Sequence, residues 1–385
     1  MAQSKQRHAG IELLRILAML MVVMLHCLSK GQVLPDMTGK LTANGYLAWI
    51  LETLSIVAVN VYILISGFFL PDSSFRTGRL LGLLCQILFY SILIPVILLA
   101  FGVFSVKELT IYKLLQYLLP VQMEHYWFAS AYVFAYLFSP VIRCAVRHMT
   151  QKQLKGTIFF LLLFFSVSKS VLPVRLEMDH LGYDTLWFLC VYLCAGYLRL
   201  YGTRHFTGTK AGIRKALCGY LAFLAAILGM TFVIRAIYLR FGILKDFLIA
   251  GYHYNHIFNL GAAVCLFLVF YQIRIKDGWI SRLILKIAPA TFGVYLFHEH
   301  LELRYRWPSW FGMGADAASA SPLFFVLHCL GAVLGIYVLG TVIDLLRARI
   351  FKGITFLVNR GWIKKGLDQL DSYINDSTIS GAEKR

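Results

Sequence analysis

Charge is scarce in this chain, and negative charge is scarcest. Asp, Glu, Lys and Arg make up 15% of its 385 residues, with 19 acidic against 37 basic side chains. Soluble domains carry about 25% charged residues. With 59% hydrophobic residues, the shortage argues against a soluble domain and points to a membrane. Long polar segments are missing too, so any chemistry has to take place within the apolar part or at its mouths. No ten-residue stretches of alternating polarity occur, which excludes a β-barrel. The eight cysteines all lie in or beside apolar runs, and a disulfide framework would need them in exposed loops. Cys190 and Cys194, one helical turn apart, suit packing better than metal binding. No soluble module gathers the basic residues, which argues against nucleic acid as a partner. The first apolar run ends without a small-residue cleavage site, so a retained helix is expected.

What fills the sequence instead is apolar runs of roughly 17–25 residues, each long enough to cross a bilayer as a helix. They lie near 10–29, 45–70, 80–104, 126–142, 157–173, 184–200, 216–236, 255–272, 285–301 and 322–346. The expected fold is all-α: a polytopic transmembrane helical bundle of about ten spans. An even number puts both termini on one side. Most Lys and Arg fall in segments on that side, which the positive-inside rule assigns to the cytoplasm. Residues 1–346 then form the membrane domain. Residues 347–385 form a basic amphipathic tail with a disordered end, expected to lie on anionic lipid at the inner leaflet.

The first run, "GIELLRILAMLMVVMLHCLS", carries Glu12, Arg15 and His26. Ionisable groups inside a span are expensive and usually face a bundle interior or a water-filled cavity. Eleven residues are almost three turns at 3.6 per turn, so Arg15 and His26 share a face, with Ala18 and Val22 between them. Glu12, three residues before Arg15, is placed to pair with it. Taken singly, Arg15 could snorkel to the headgroups and His26 could sit at the interface. Both on one face favours a lined channel. Cys27 points about 100° away from His26, which disfavours a Cys–His nucleophile pair.

"ELLRILAMLMVVMLH" resembles the first helix of the membrane acyltransferase-3 family, whose motif is an arginine, ten residues and a histidine, here Arg15 and His26. Glu12 stands where members often carry an acidic residue. "VNVYILISGFFL" is similar to the second-helix signature ending in Ser66, Gly67 and Phe68. "FRTGR" matches its arginines three apart, Arg76 and Arg79. "HYWFASAYVFAYLFSP" resembles its Trp-Phe motif at Trp127 and Phe128, and "FGVYLFHEHL" its Tyr-Leu-x-His motif at Tyr295 and His298. Order and spacing run together along almost the whole chain.

The resemblance implies an enzyme of the bacterial inner membrane that moves an acyl group, usually acetyl, from cytoplasmic acyl-coenzyme A to an extracytoplasmic polysaccharide or its lipid-linked precursor. It implies Arg15, Arg76 and Arg79 as donor-phosphate ligands, against plain positive-inside anchoring for the last two. Glu12 would orient or neutralise Arg15. His26 would act as general base or as transient acyl acceptor. Ser66 could donate a hydrogen bond or, with Gly67, allow close packing. Trp127 could stack on a sugar or adenine, or sit in an interfacial aromatic belt. Tyr295 is a support, His298 could assist proton removal, and Glu299 could bind sugar hydroxyls. Asp179, Tyr183 and Asp184 are candidates for an acceptor cleft. A metal is not expected, since the His298-x-His300 pair lacks a further ligand at suitable spacing. The competing classes are a proton-coupled transporter or flippase using Glu12, Arg15 and His26 as a relay, and a membrane sensory module.

Overall fold

The computed structural model describes residues 7–123, 125–172, 180–206, 208–358 and 362–375, and these are helical and without β-strands. The first part comprises α1 (Ala9–Lys30), α2 (Ala43–Ser55), α3 (Ala58–Phe69), α4 (Thr77–Ala100), α5 (Ile111–Leu118), α6 (Trp127–Leu137), α7 (Ser139–His148) and α8 (Gln151–Leu162). There follow α9 (Ser168–Val171), α10 (Thr185–Tyr197), α11 (Lys210–Phe241), α12 (Ile257–Gln272), α13 (Trp279–Ile287) and α14 (Thr291–His298). The chain continues through α15 (Trp307–Trp310), α16 (Ala315–Ser319), α17 (Pro322–Val358) and α18 (Trp362–Asn375).

Among the described residues, nine helices are long and apolar enough to cross a membrane, and the bent pair α6–α7, counted as one span, makes ten. These correspond in order to the ten runs read from the sequence. The bend is 53° and falls where Ser139-Pro140 opens α7. Proline lacks the N–H needed to continue α6 but suits the first turn of a new helix.

Helix α1 is the hub. It packs against α2, α3, α12, α13, α14 and α17, and side chains from Ile11 to Leu28 are buried along it. Burial separates the interior helices from the outer ones. In the span 43–72, 78% of the most apolar window is buried; in 151–171 it is 11%. The outer helices expose Leu217, Leu221 and Val233 of α11 and Leu327, Leu334 and Val338 of α17. An apolar surface of that extent suits lipid, not water, and the chain is a multi-pass membrane protein.

Two polar clusters fix the interior. Asn60 of α3, fully buried, donates from Nδ2 to Tyr254 O at 2.7 Å and Asn259 Oδ1 at 3.2 Å, and accepts from Trp187 Nε1 at 2.9 Å. One side chain thereby joins α3, α10, α12 and the loop before α12. Asn60→Leu strands these partners in an apolar core; an unmet buried polar group costs about 1–3 kcal/mol. The expected result is a lower melting temperature in detergent by several degrees, and an unchanged temperature would contradict the cluster's role. On α14, a Cβ at Gly293 would collide with the Asp344 carboxylate of α17. Asp344 accepts from Gln86, Tyr90 and Arg347, so this close approach ties α14 to α4 and α17.

Candidate active site

Helix α1 runs unbroken from Ala9 to Lys30, so at 1.5 Å per residue Arg15 and His26 are about 16 Å apart along it. The end of the bundle holding residue 7 is called here the N-face, and the opposite end the far face. Near the N-face, Glu12 pairs with Arg15 at 3.4 Å. Arg15, Ser66 and Arg79 line one pocket of about 290 Å³, with Tyr62, Gln86 and Tyr132 among its other walls. Three residues far apart in sequence thus meet. Arg76 is not in that lining. It is exposed at the N-cap of α4, three residues from Arg79. Ser66 donates to Tyr62 O within its own helix, while Gly67 makes the close contact, against Tyr192 and Ala195.

Toward the far face, His26 meets the end of α14. His298 Nδ1 lies 2.6 Å from Val294 O. A carbonyl only accepts, so neutral His298 carries its proton on Nδ1 and presents Nε2 as an acceptor. His26 Nδ1, 2.9 Å from that Nε2, is then the donor. The same Nδ1 is 3.1 Å from Glu299 Oε2. Both neighbours hold the His26 proton on Nδ1 and leave the Nε2 lone pair free. Glu299 is 4% exposed, enclosed by Lys30, which contacts Oε2, and by Arg304 at 3.6 Å from Oε1. The nitrogen and oxygen atoms of His26, His298 and Glu299 lie within 4.8 Å of one another, near enough to hold a metal ion. This set differs from the His298-x-His300 pair of the sequence, taking Glu299 in place of His300 and adding His26 from α1, and Lys30 already sits on that carboxylate.

His300 turns away from this cluster. Its Nδ1 accepts from Glu302 N at 3.1 Å and its Nε2 donates to Ser91 O at 3.3 Å. Neighbouring His125 accepts from Leu301 N. Burial holds its imidazole down, to about 4, so it stays neutral at ordinary pH. These two histidines brace the turn that carries Glu299.

His26 also lines a cavity of about 20 Å³ walled by Val22, Tyr62, Trp127, Phe128, Tyr254 and Tyr295, among others. Tyr62 and Phe128 belong as well to the N-face pocket. Their rings, 6.1 Å apart and edge to face, are common walls of the two spaces. Trp127 belongs both to the His26 cavity and to a far-face cleft of about 980 Å³ that includes Tyr183 and Asp184. Trp127 is half-buried, stacked on Tyr254 at 5.7 Å and against Tyr183 at 4.7 Å. Asp184 caps α10 through Trp187 N. Asp179 lies outside the described residues. The Tyr295 ring is buried, and among the described residues its hydroxyl has no hydrogen-bond partner. Cys27 is buried against Cys329, away from His26.

Lys30 and Arg304 were not among the residues the sequence singled out. Lys30 had a signal, since it follows His26 by four residues on the same face of α1. Arg304 had none, because the turn after α14 brings it back to Glu299.

Neither a curated protein nor a solved structure matches the chain. A family model described as an acyltransferase domain does match it, over residues 8–341. That stretch holds every site residue named above, and the chain accordingly belongs to the membrane acyltransferase-3 family, as an acyltransferase.

Proposed function

We propose that the protein transfers an acyl group, acetyl in the simplest case, from cytoplasmic acyl-coenzyme A to a hydroxyl of an extracytoplasmic polysaccharide or its lipid-linked precursor, in a bacterial inner membrane. One observation carries the reading. The His26 imidazole has its Nδ1 proton held by His298 and Glu299, and it lines a cavity that shares walls with an arginine-bearing pocket on one side and an aromatic cleft on the other. The concentration of Lys and Arg toward the N-face supports a cytoplasmic N-face.

In this reading Arg15 and Arg79, with Arg76 at the rim, grip the donor's phosphates through charge-assisted bonds. Glu12 neutralises Arg15 when no donor is bound. The pantetheine arm spans the roughly 16 Å up α1, displacing the Tyr62–Phe128 contact, and places the thioester carbon at His26. His26 Nε2 removes the acceptor hydroxyl's proton as its oxygen attacks that carbon. The carbon–sulfur bond breaks, and the imidazolium returns the proton to the leaving thiolate. Transient acylation of Nε2 would use the same geometry. Glu299 acts as orienter of His26, since its oxygens face His26, Lys30 and Arg304 and not the cleft. A dication among His26, His298 and Glu299 would have to displace Lys30, which favours the hydrogen-bonded arrangement. Trp127 and Tyr183, which line the far-face cleft, offer aromatic surface to a sugar.

The test uses purified protein in nanodiscs with radiolabelled acetyl-coenzyme A, following thioester loss and label transfer. Charge-assisted hydrogen bonds are worth about 1.5–3 kcal/mol, so Arg15→Ala is expected to raise the donor KM about tenfold or more. Absence of any interaction with acyl-coenzyme A at millimolar concentration would overturn the reading in favour of a transporter.

A further inference from the structure

The loop that delivers Arg76 and Arg79 is held from outside the family domain. Helix α18 lies beyond residue 341, where the family match ends. Its sequence reads as a lipid-surface helix, yet Leu367, Asp371 and Asn375, four residues apart, are its half-buried stripe, while Leu370 and Tyr373 are exposed. Asn375 pairs with the backbone of Phe75 in both directions: Oδ1 accepts from Phe75 N at 2.9 Å, and Nδ2 donates to Phe75 O at 2.8 Å. Asp371 Oδ1 accepts from Thr77 N at 2.6 Å. The N-cap of α4 is Arg76, whose side chain makes no capping bond. Asp371 therefore supplies from a distant helix the acceptor that an N-terminal turn requires, with the charge its dipole favours. Tyr136 meets Arg76 N and O at 3.1 and 3.2 Å. Thus the backbone on both sides of Arg76 is fixed by the tail, and Arg76 itself by α6.

We infer that α18 is a clasp whose Asp371 and Asn375 are positioning residues for the donor-binding arginines, so that the C-terminal tail sets the affinity for acyl-coenzyme A. The inference rests on the donor role proposed above. Holding residues 75–77 fixes the exit direction of the Arg76 side chain and the first turn of α4, from which Arg79 reaches the pocket beside Arg15. Freed of the clasp, the loop must be ordered at the moment of donor binding, and affinity falls by that ordering cost.

Two readouts test this on the full-length protein in nanodiscs. The first needs no activity: hydrogen–deuterium exchange of residues 73–80 in the Asp371→Ala/Asn375→Ala double variant against wild type. Faster exchange there, with the rest of the bundle unchanged, is expected; equal exchange overturns the clasp whatever the protein's function. The second is steady-state transfer. The double variant is expected to raise the acyl-coenzyme A KM about tenfold with kcat within twofold, and Asp371→Asn, which keeps the acceptor oxygen, to stay near wild type. An unchanged KM would sink the positioning role, and a lowered KM would show that the tail plugs the site instead. Failure of wild type to use acyl-coenzyme A would fall on the proposed function and leave the exchange result standing.

Discussion

His26→Ala is expected to reduce acyl transfer at least about a thousandfold while leaving the protein folded and able to bind donor. Positioned proton transfer contributes roughly 10²–10⁴-fold, and removal of the imidazole deletes the proposed base or acyl acceptor outright. The cost to the fold is small by comparison. His26 sits at the edge of a cavity with one ring nitrogen unbonded among the described residues, so alanine enlarges an existing space. Its loss frees His298 Nε2 from one partner but leaves the His298–Val294 bond and the Lys30–Glu299 pair in place. The measurement is kcat beside donor affinity and melting temperature. A variant that keeps a tenth or more of wild-type kcat would remove His26 from the mechanism.

Glu299→Gln carries the second largest effect. The carboxylate faces Lys30, Arg304 and His26 together, and the amide keeps its volume while removing its charge. Two cations then stand side by side without a counter-ion. Gln Nε2, itself a donor, can turn toward His26 Nδ1 and compete for the acceptor His298 Nε2. Both changes disturb the tautomer that keeps the His26 Nε2 lone pair free. The expected outcome is a fall of kcat by roughly a hundredfold, a lower melting temperature, and little change in donor KM, since the proposed donor pocket lies at the other end of α1. A tenfold rise in donor KM with unchanged kcat would place Glu299 in substrate binding instead.

The sequence displays these relations unevenly. Glu12, Arg15 and His26 belong to one uninterrupted helix, where a 3.6-residue period fixes relative direction, so their shared face and the Glu12–Arg15 pair were readable. Helices long and apolar enough to cross a membrane were readable as well, because apolar length is what a bilayer selects. The sequence does not reveal which apolar surface meets lipid and which meets protein. Trp127 has the amphipathic character of a belt residue, and no sequence rule announces its ring contacts with Tyr254 and Tyr183, since lipid and a helical interior are equally apolar to an indole. The meeting of His26 with His298 and Glu299 joins positions 272 and 273 residues apart, and no local rule connects them. The tail shows the same limit. Its periodicity marks one face as different, but it does not say whether a membrane or the α3–α4 loop will cover that face.

The Tyr62–Phe128 contact bears on the electrical behaviour of the membrane. An open bore from the Arg15 pocket to the far-face cleft would let ions and protons run down the potential, where each elementary charge releases about 2.3 kcal/mol per 100 mV. In the proposed function the Tyr62–Phe128 edge contact stands across that path and parts for a thin, uncharged thioester arm. In the proposed reaction an acyl group departs outward from sulfur and a proton returns inward to it, so the net charge on each side is the same before and after. The exchange displaces no net charge, and the cell's voltage neither drives it nor holds it back.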